Sequence, residues 1–425
     1  MTIKLYTVTA MLCLSAACTQ SERKQPEPVV AFVGAQLIDG TGRAPVNDAV
    51  LLVSNGTIID VGTDSSMTVP EHVEIIDFSG KTIIPGLINA HGHIGGTEGL
   101  TSSYSEQNVI RDLKLNSAYG VTTVYSLGGD GPESVAIRDE QDTINLNRSR
   151  LYVAGEVVTG ETPEEARRMV DNNATMNVDF IKIRVDDNLG TTKKMTPPVY
   201  EAVIDQAKKH NLEVVAHIFY LEDAKALLRL GVKFIGHSVR DQLVDDEFIS
   251  LMKENNAIYC PTLMREASTF IYESTPDFFS DPFFLSHADA AIIHQLETPE
   301  RQLKVKESKS AQRYKEALVI AKENLKRLSD AGVKIAMGTD TGPPARFQGY
   351  FEHLELEQMV GAGLTPMQVI VAATGNAAYN NQSTQLGTLE KGKKADFIVL
   401  TKDPLIDIKN SRTIESVWVD GNKIQ

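Results

Sequence analysis

The chain has 425 residues, 42% of them hydrophobic and 23% charged, with 42 basic against 56 acidic side chains and a formal net charge of −14. That length suits one large domain plus a smaller one, and the acidic balance argues against a nucleic-acid partner, because phosphates need a basic footprint. The three cysteines, Cys13, Cys18 and Cys260, are too few and too badly spaced for a disulfide framework.

Residues 1–18, MTIKLYTVTAMLCLSAAC, set one lysine before an apolar stretch too short to span a bilayer, and end in small residues before a cysteine. This is the build of a secretory signal peptide. Leu14-Ser15-Ala16-Ala17-Cys18 resembles a bacterial lipobox, so Cys18 is the expected lipidation site, with a plain signal peptide as the alternative. The mature protein is then expected in the bacterial cell envelope, in the periplasm, touching the membrane only through a lipid anchor. Residues 19–28 read as a polar tether. No later run is long and apolar enough to cross a bilayer.

Residues 29–84 carry short β-rich runs (VVAFVGAQLIDGTG, AVLLVSNGTIIDVG, VEIIDFSGKTIIPG) that end at Gly or Asn-Gly. Residues 376–425, with LGTLEKGKKADFIVLTKDP and ESVWVDGNKIQ, look the same, so both ends are expected to build one small β-sandwich domain. Residues 85–375 differ. Eight strand-like runs alternate there with amphipathic helical stretches, several ending in Gly or Asn. The runs are GLINAHGHI, VTTVYSL, LYVAGEVV, VDFIKIRV, LEVVAHIF, VKFIGHSV, AIYCPTLM and VKIAMGTDTG. The pattern predicts an α/β protein whose main part is a (β/α)8 TIM barrel. Residues 265–310, with TPDFFSDPFF, are either a substrate-facing lid or a surface excursion packing its own phenylalanines.

In such a barrel the chemistry sits at the carboxyl ends of the strands. The first strand ends in His91 and His93, which alternation puts on one face. In the fourth, Phe180, Lys182 and Arg184 share a face and Ile181, Ile183 and Val185 the other. The aliphatic face suits the helix layer, so Lys182 turns into the barrel mouth, where a charged amine is costly unless paired or modified. The fifth strand ends in His217, the sixth in His237 and the eighth in Asp340. Four of the nine histidines at strand ends, with an aspartate and a lysine, point to a metal site. The stretch SLGGDGPES lacks the Gly-Lys-Ser/Thr ending of a phosphate loop and reads as the loop after the second strand. Cys260 has no histidine left over to activate it and is expected in the core.

Together PGLINAHGH, DFIKI, VVAHI, FIGHS, GTDTG and LGTLEKGKKADFIVL resemble the amidohydrolase superfamily. The resemblance covers nearly everything after the tether, and HLELEQMVGAGLTPMQVIVAATGNAA is similar to its imidazolonepropionase-related branch, which includes metal-dependent prolidases. It implies two divalent ions, most often zinc, sharing a hydroxide. His91, His93 and Asp340 would hold the more buried ion and His217 and His237 the other. Lys182 would bridge them as a carbamate formed with carbon dioxide, and Asp340 would shuttle the proton. The expected reaction is hydrolysis of an amide C–N bond in a dipeptide of the Xaa-Pro kind or an N-acyl amino acid.

Arg184, Arg240 and Arg265 lie near strand ends and could hold a substrate carboxylate. Tyr220 could hydrogen-bond the tetrahedral oxyanion, and His353 could contact substrate. Two alternatives stay open. One is a mononuclear deaminase or cyclic-amide (imidazolone-like) hydrolase, in which Lys182 remains a cation paired with Asp187 or another acid. The other is a non-catalytic lipoprotein that binds small ligands. A homo-oligomer is left open as well. The stretch RVDDNLGTTKKMTPP replaces the glycine-rich loop common after the lysine in that branch, which leaves the substrate unassigned.

Overall fold

A computed structural model describes residues 28–63, 65–379 and 383–425. The signal-like segment, Cys13, Cys18 and nearly all of the tether lie outside the described residues. Strands β1 (Val29–Leu37), β2 (Val46–Ser54), β3 (Thr57–Thr63), β4 (Glu74–Asp77) and β5 (Thr82–Pro85) come first. There follow β6 (Leu87–Gly92), a hairpin of β7 (Thr97–Glu98) and β8 (Thr101–Ser102), and helix α1 (Glu106–Ala118). Strands and helices then alternate through β9 (Val121–Ser126), α2 (Pro132–Asp139), β10 (Arg150–Val153), α3 (Pro163–Thr175), β11 (Phe180–Val185) and α4 (Pro197–Lys209). They continue with β12 (Glu213–Ile218), α5 (Leu221–Arg229), β13 (Phe234–Gly236), α6 (Asp246–Glu254) and β14 (Ile258–Cys260). Helices α7 (Leu263–Ala267), α8 (Pro282–Leu285), α9 (Ala290–Leu296), α10 (Pro299–Glu307) and α11 (Lys309–Asp330) separate β14 from β15 (Lys334–Ile335). The chain closes with α12 (Tyr350–Gly361), α13 (Pro366–Ala372), β16 (Phe397–Leu400), β17 (Ile414–Val419) and β18 (Asn422–Lys423).

Each of the eight strand-like runs contains a strand, usually shorter than the run. VKIAMGTDTG shrinks most, to Lys334–Ile335, and AIYCPTLM is cut short because Pro261 stops the ladder and α7 starts at Leu263. Helix ends follow local chemistry. Proline opens α2, α3 and α4, and the Thr162 side chain caps α3 by accepting from the Glu165 amide. Asn211 (φ 57°) and Gly231 (φ 88°) follow α4 and α5 in the left-handed region that ends a helix.

Strands β6, β9 and β10 form a three-stranded parallel sheet, and β11 to β15 a five-stranded one. Backbone bonds join their edges on both sides. Asp179 N donates to Val153 O (2.8 Å) and Val158 N to Lys182 O (2.8 Å) between β10 and β11. Ala90 N donates to Met337 O (2.9 Å) and His93 N to Thr341 O (2.8 Å) between β6 and the segment after β15. Alternation along these strands separates two apolar layers. Ile88, Ala90, Tyr125, Phe180, Val215 and Phe234 pack together with Cys260 on one side. Leu87, Val124, Ile181, Ile183 and Ala216 pack with the helices on the other. Lys182 has the parity of Phe180, away from the helices. Cys260 is buried core, as expected, and its thiol is free.

Both chain ends enter a third sheet, ordered β18-β17-β16-β5-β1-β2-β3, with β4 also paired to β1. Three strand steps separate β1 from β17, about 14 Å in a flat sheet, yet the Phe32 and Trp418 rings meet at 4.9 Å. The sheet therefore coils around a core that includes Phe32, Leu51, Phe397 and Trp418. Residues 265–310 do pack their own phenylalanines: Phe278, Phe279 and Phe284 are buried with Tyr119, Tyr350 and Phe351. No helix among the described residues is long and apolar enough to cross a membrane.

Candidate active site

Four strand ends and the turn after β15 bring six side chains together. His91 and His93 leave β6, Lys182 stands in β11, His217 in β12, His237 after β13, and Asp340 after β15. His237 (φ 70°) and Asp340 (φ 59°) are both left-handed, a conformation costing non-glycine residues roughly 1–3 kcal/mol. That bend turns each side chain off the strand line toward the others. The His91 and His237 rings lie 4.4 Å apart, and the His217 and His237 rings 4.1 Å apart. A cavity of about 340 Å³ opens above them, its wall including Leu127, Val157, Arg184, Arg265 and Arg346.

The donor set fits a cation. The Gly128 carbonyl, 2.9 Å from His93 Nδ1, can only accept, so Nδ1 carries a proton and, in the neutral ring that ligates a metal, Nε2 presents a lone pair. That lone pair faces Asp340 Oδ1 at 2.9 Å, and His91 Nε2 lies 3.5 Å from the same oxygen. Acceptors that close repel unless a cation lies between them. Two ligand atoms about 2.0–2.2 Å from one zinc ion sit roughly 3 Å apart. His91 Nδ1 is buried with no partner among the described residues. Burial holds the imidazoles of His91 and His237 well below their usual range and His217 down to about 3, so all three stay neutral and ready to ligate. Burial pushes the Asp340 carboxyl up, but the positive charge of Arg346 opposes this, and the group is held well below the ordinary carboxylate range.

Lys182 is 3% exposed. Its Nζ lies 2.9 Å from His91 Nε2, and no carboxylate among the described residues forms an ion pair with it. Asp187, the alternative partner, instead accepts from the Tyr220 hydroxyl at 2.8 Å. Burial lowers the lysine to about 8, with Asp340 opposing.

Outer partners orient the cluster. His217 Nε2 donates to Asp186 Oδ2 at 2.7 Å, which leaves Nδ1 for a ligand, and His237 Nδ1 lies 2.6 Å from Thr262 Oγ1. Asn89, Thr339 and Thr341 all donate to the buried Glu352 Oε1 (2.6, 2.9 and 2.7 Å), while Asn89 Oδ1 accepts from the His91 amide. This carboxylate ties the strand carrying the two histidines to the turn carrying Asp340. The sequence reading missed Asp186, Glu352 and Arg346; only Asp186 left a signal, as part of the Asp186–Asp187 pair just past the lysine strand. Asp186→Ala is expected to weaken metal binding about 10–100-fold. Metal titration with a chelating competitor checks this.

Three residues expected at the substrate stand elsewhere. Arg240 is wholly buried, bound to Glu266 Oε1 (2.9 Å) and to the carbonyls of Ile218 (2.8 Å) and Ser238 (2.6 Å), so it braces the strand ends from behind. His353 is also buried, with Nε2 donating to Tyr119 O (2.8 Å) and Nδ1 2.9 Å from Ser411 Oγ. Tyr220 has given its hydroxyl to Asp187 and is not among the residues lining the cavity. Arg184 and Arg265 do line it.

Burial lowers His353 from 6.5 to about 4. The unfolded chain takes up that proton as pH falls from 6.5 and the folded chain does not, so stability drops across this window, by up to about 3 kcal/mol. His353→Gln should therefore destabilise less at pH 4.5 than at pH 7, as read by urea denaturation.

The sequence model of the amidohydrolase family matches residues 82–424. An ochratoxinase from Aspergillus niger is 24% identical over 455 aligned positions, covering 92% of this chain and 86% of that protein. An imidazolonepropionase from Pyrobaculum arsenaticum is 24% identical, covering 84% and 86%. The crystal structure of a Xaa-Pro dipeptidase with bound methionine superposes with a TM-score of 0.74 at 22% identity, covering 93% of this chain and 99% of that one. The family is generally metal-dependent, and the His91, His93 and Asp340 ligand atoms lie within 4.8 Å of one another. The chain belongs to the amidohydrolase family and is a hydrolytic enzyme acting on C–N bonds.

Proposed function

We propose that this protein is a binuclear metal-dependent hydrolase of N-acyl amino acids or dipeptides. Its parallel strands form one closed (β/α)8 barrel over 85–375, and 29–84 with 376–425 form a β-sandwich domain. The bonds joining both edges of the two parallel sheets support closure. The facing lone pairs of His93 Nε2 and Asp340 Oδ1 carry the catalytic reading, because they call for a cation.

His91, His93 and Asp340 hold one ion, zinc by the nature of the donors, and His217 and His237 hold the second. Lys182, with no acidic partner among the described residues to keep it charged, would add carbon dioxide as its neutral amine, losing one proton to solvent, and the carbamate's two oxygens would be further donors for both ions. Bound there, the ions supply an activated water and polarise the scissile carbonyl. Asp340 receives the proton lost in the attack and passes it to the departing nitrogen. Arg346 keeps Asp340 ionised until then. Arg184 takes the substrate carboxylate in a bidentate grip, and Arg265, fixed by Glu266 at 2.9 Å, adds positive potential at the mouth. Relatives named ochratoxinase and Xaa-Pro dipeptidase agree with an amide substrate.

The test is a screen of dipeptides and N-acyl amino acids with the zinc-loaded protein, followed by counting metals. Turnover of at least one class, with two ions per chain, is the expected result. Less than one bound ion, with no rescue by added zinc, ends the proposal. The proposed setting is the bacterial envelope, with Cys18 as lipid anchor. Labelling with an alkyne fatty acid, lost in Cys18→Ala, tests that separately.

A further inference from the structure

The cavity over the metal cluster has a neighbour on each side. Strands β11 and β15 stand at opposite edges of the five-stranded sheet. On the β11 side, Arg184 is a wall shared with a chamber of about 200 Å³ whose lining includes Thr192 and Thr196. On the β15 side, Arg346 is a wall shared with a chamber of about 310 Å³.

The two sides differ in charge. Among the described residues no hydrogen bond or ion pair engages the Arg184 guanidinium, and its Nε is buried without a partner. Apart from Lys182 within the cluster itself, the other lysines and arginines on these walls are matched. Arg265 pairs with Glu266, Arg346 with Asp340, Arg111 with Asp112, Lys193 with Glu161 and Lys194 with Asp223. A substrate carboxylate is therefore drawn to Arg184, which sends the other half of an amide toward Arg346.

That far chamber has apolar walls beside charged ones, and its two arginines, Arg111 and Arg346, are already paired. Leu115 of α1, Ala288 and Ile292 of the long insertion, and Phe347 offer apolar walls. Glu98 and Asp289, lining the same space, repel a second carboxylate. Its volume is at the lower end of small-molecule sites, enough for a ring system.

We propose that this chamber is the acyl subsite, and that residues 288–292 of the insertion make the enzyme prefer N-acyl amino acids with a bulky apolar, aromatic acyl group. The inference rests on the amide-hydrolase reading above, and its test is arranged to fail separately.

The test compares kcat/KM for N-(2-naphthoyl)glycine and N-acetylglycine. The expected ratio is at least tenfold in favour of naphthoyl. Ile292→Asp and, independently, Ala288→Trp should each lower it tenfold or more, while Leu303→Asp on the exposed face of α10 should leave it unmoved. In parallel, calorimetry on the full chain follows binding of N-(naphthalene-2-sulfonyl)glycine, a sulfonamide that resists amide hydrolysis. Its Kd should rise at least tenfold in Ile292→Asp. A ratio near one in the parent enzyme, or one that neither variant changes, overturns the subsite while amide hydrolysis stands. If no amide is turned over, the hydrolase reading falls and the sulfonamide decides: weaker binding in Ile292→Asp supports the chamber, and unchanged binding overturns it.

Discussion

Asp340→Asn is expected to lower kcat by about 10²–10⁴ with a much smaller change in KM. The amide keeps the size of the carboxylate and one oxygen to face His93, so ligand geometry is largely retained. It cannot take up a proton, and the departing nitrogen then leaves as an unprotonated amide anion, a far poorer leaving group. Arg346, which pairs with Asp340 and also donates to its backbone carbonyl at 3.1 Å, loses only a charge partner. Metals must be counted in the same preparation. A variant with both ions that retains more than a tenth of the parent kcat would remove Asp340 from the proton path. A variant that has lost an ion would be read after reloading with zinc.

Lys182→Ala is expected to lower the bound metal from two ions toward one and to abolish turnover. The argument starts from burial. An ordinary lysine, with a pKa of about 10.4, is neutral in roughly one molecule in 2,500 at pH 7, whereas one lowered to about 8 is neutral in roughly one in ten. Only the neutral amine adds carbon dioxide, so burial raises the reactive fraction by roughly two orders of magnitude. The product is an anion with two oxygen donors, set among His91, His217 and His237. The same loss of metal should follow when the parent protein is prepared without bicarbonate and should reverse when bicarbonate and zinc return. Unchanged content in both experiments would favour the mononuclear deaminase or cyclic-amide reading.

Much of this site can be read from parity. Lys182 and Arg184 share a face with Phe180, and both line the cavity, because a strand cannot change the side on which alternate residues emerge. The same rule identifies His91 and His93. It fails for Arg240, which follows the left-handed turn at His237 and is carried beneath the strand ends to Glu266. His353 lies on a helix whose face is set by packing against Tyr119 and Ser411, groups far away along the chain. Tyr220 follows closely on His217 in the sequence, but its hydroxyl finds an acceptor in Asp187, in the loop after β11.

By itself the sequence determined the alternation of strands and helices over most of 85–375, the set of His91, His93, Lys182, His217, His237 and Asp340 near strand ends, and the resemblance to the family. These are consequences of local periodicity and of residue types whose chemistry is hard to mistake. Only the tertiary structure decided that Arg184 is unpaired among the described residues while Arg240 and Arg265 are engaged, that Asp186 and Glu352 hold the cluster from outside, and that Arg346 meets Asp340. The physical reason is that a charged or polar group takes whichever partner the fold brings within about 3 Å, and that distance is set by loops and crossings that carry no periodic signal.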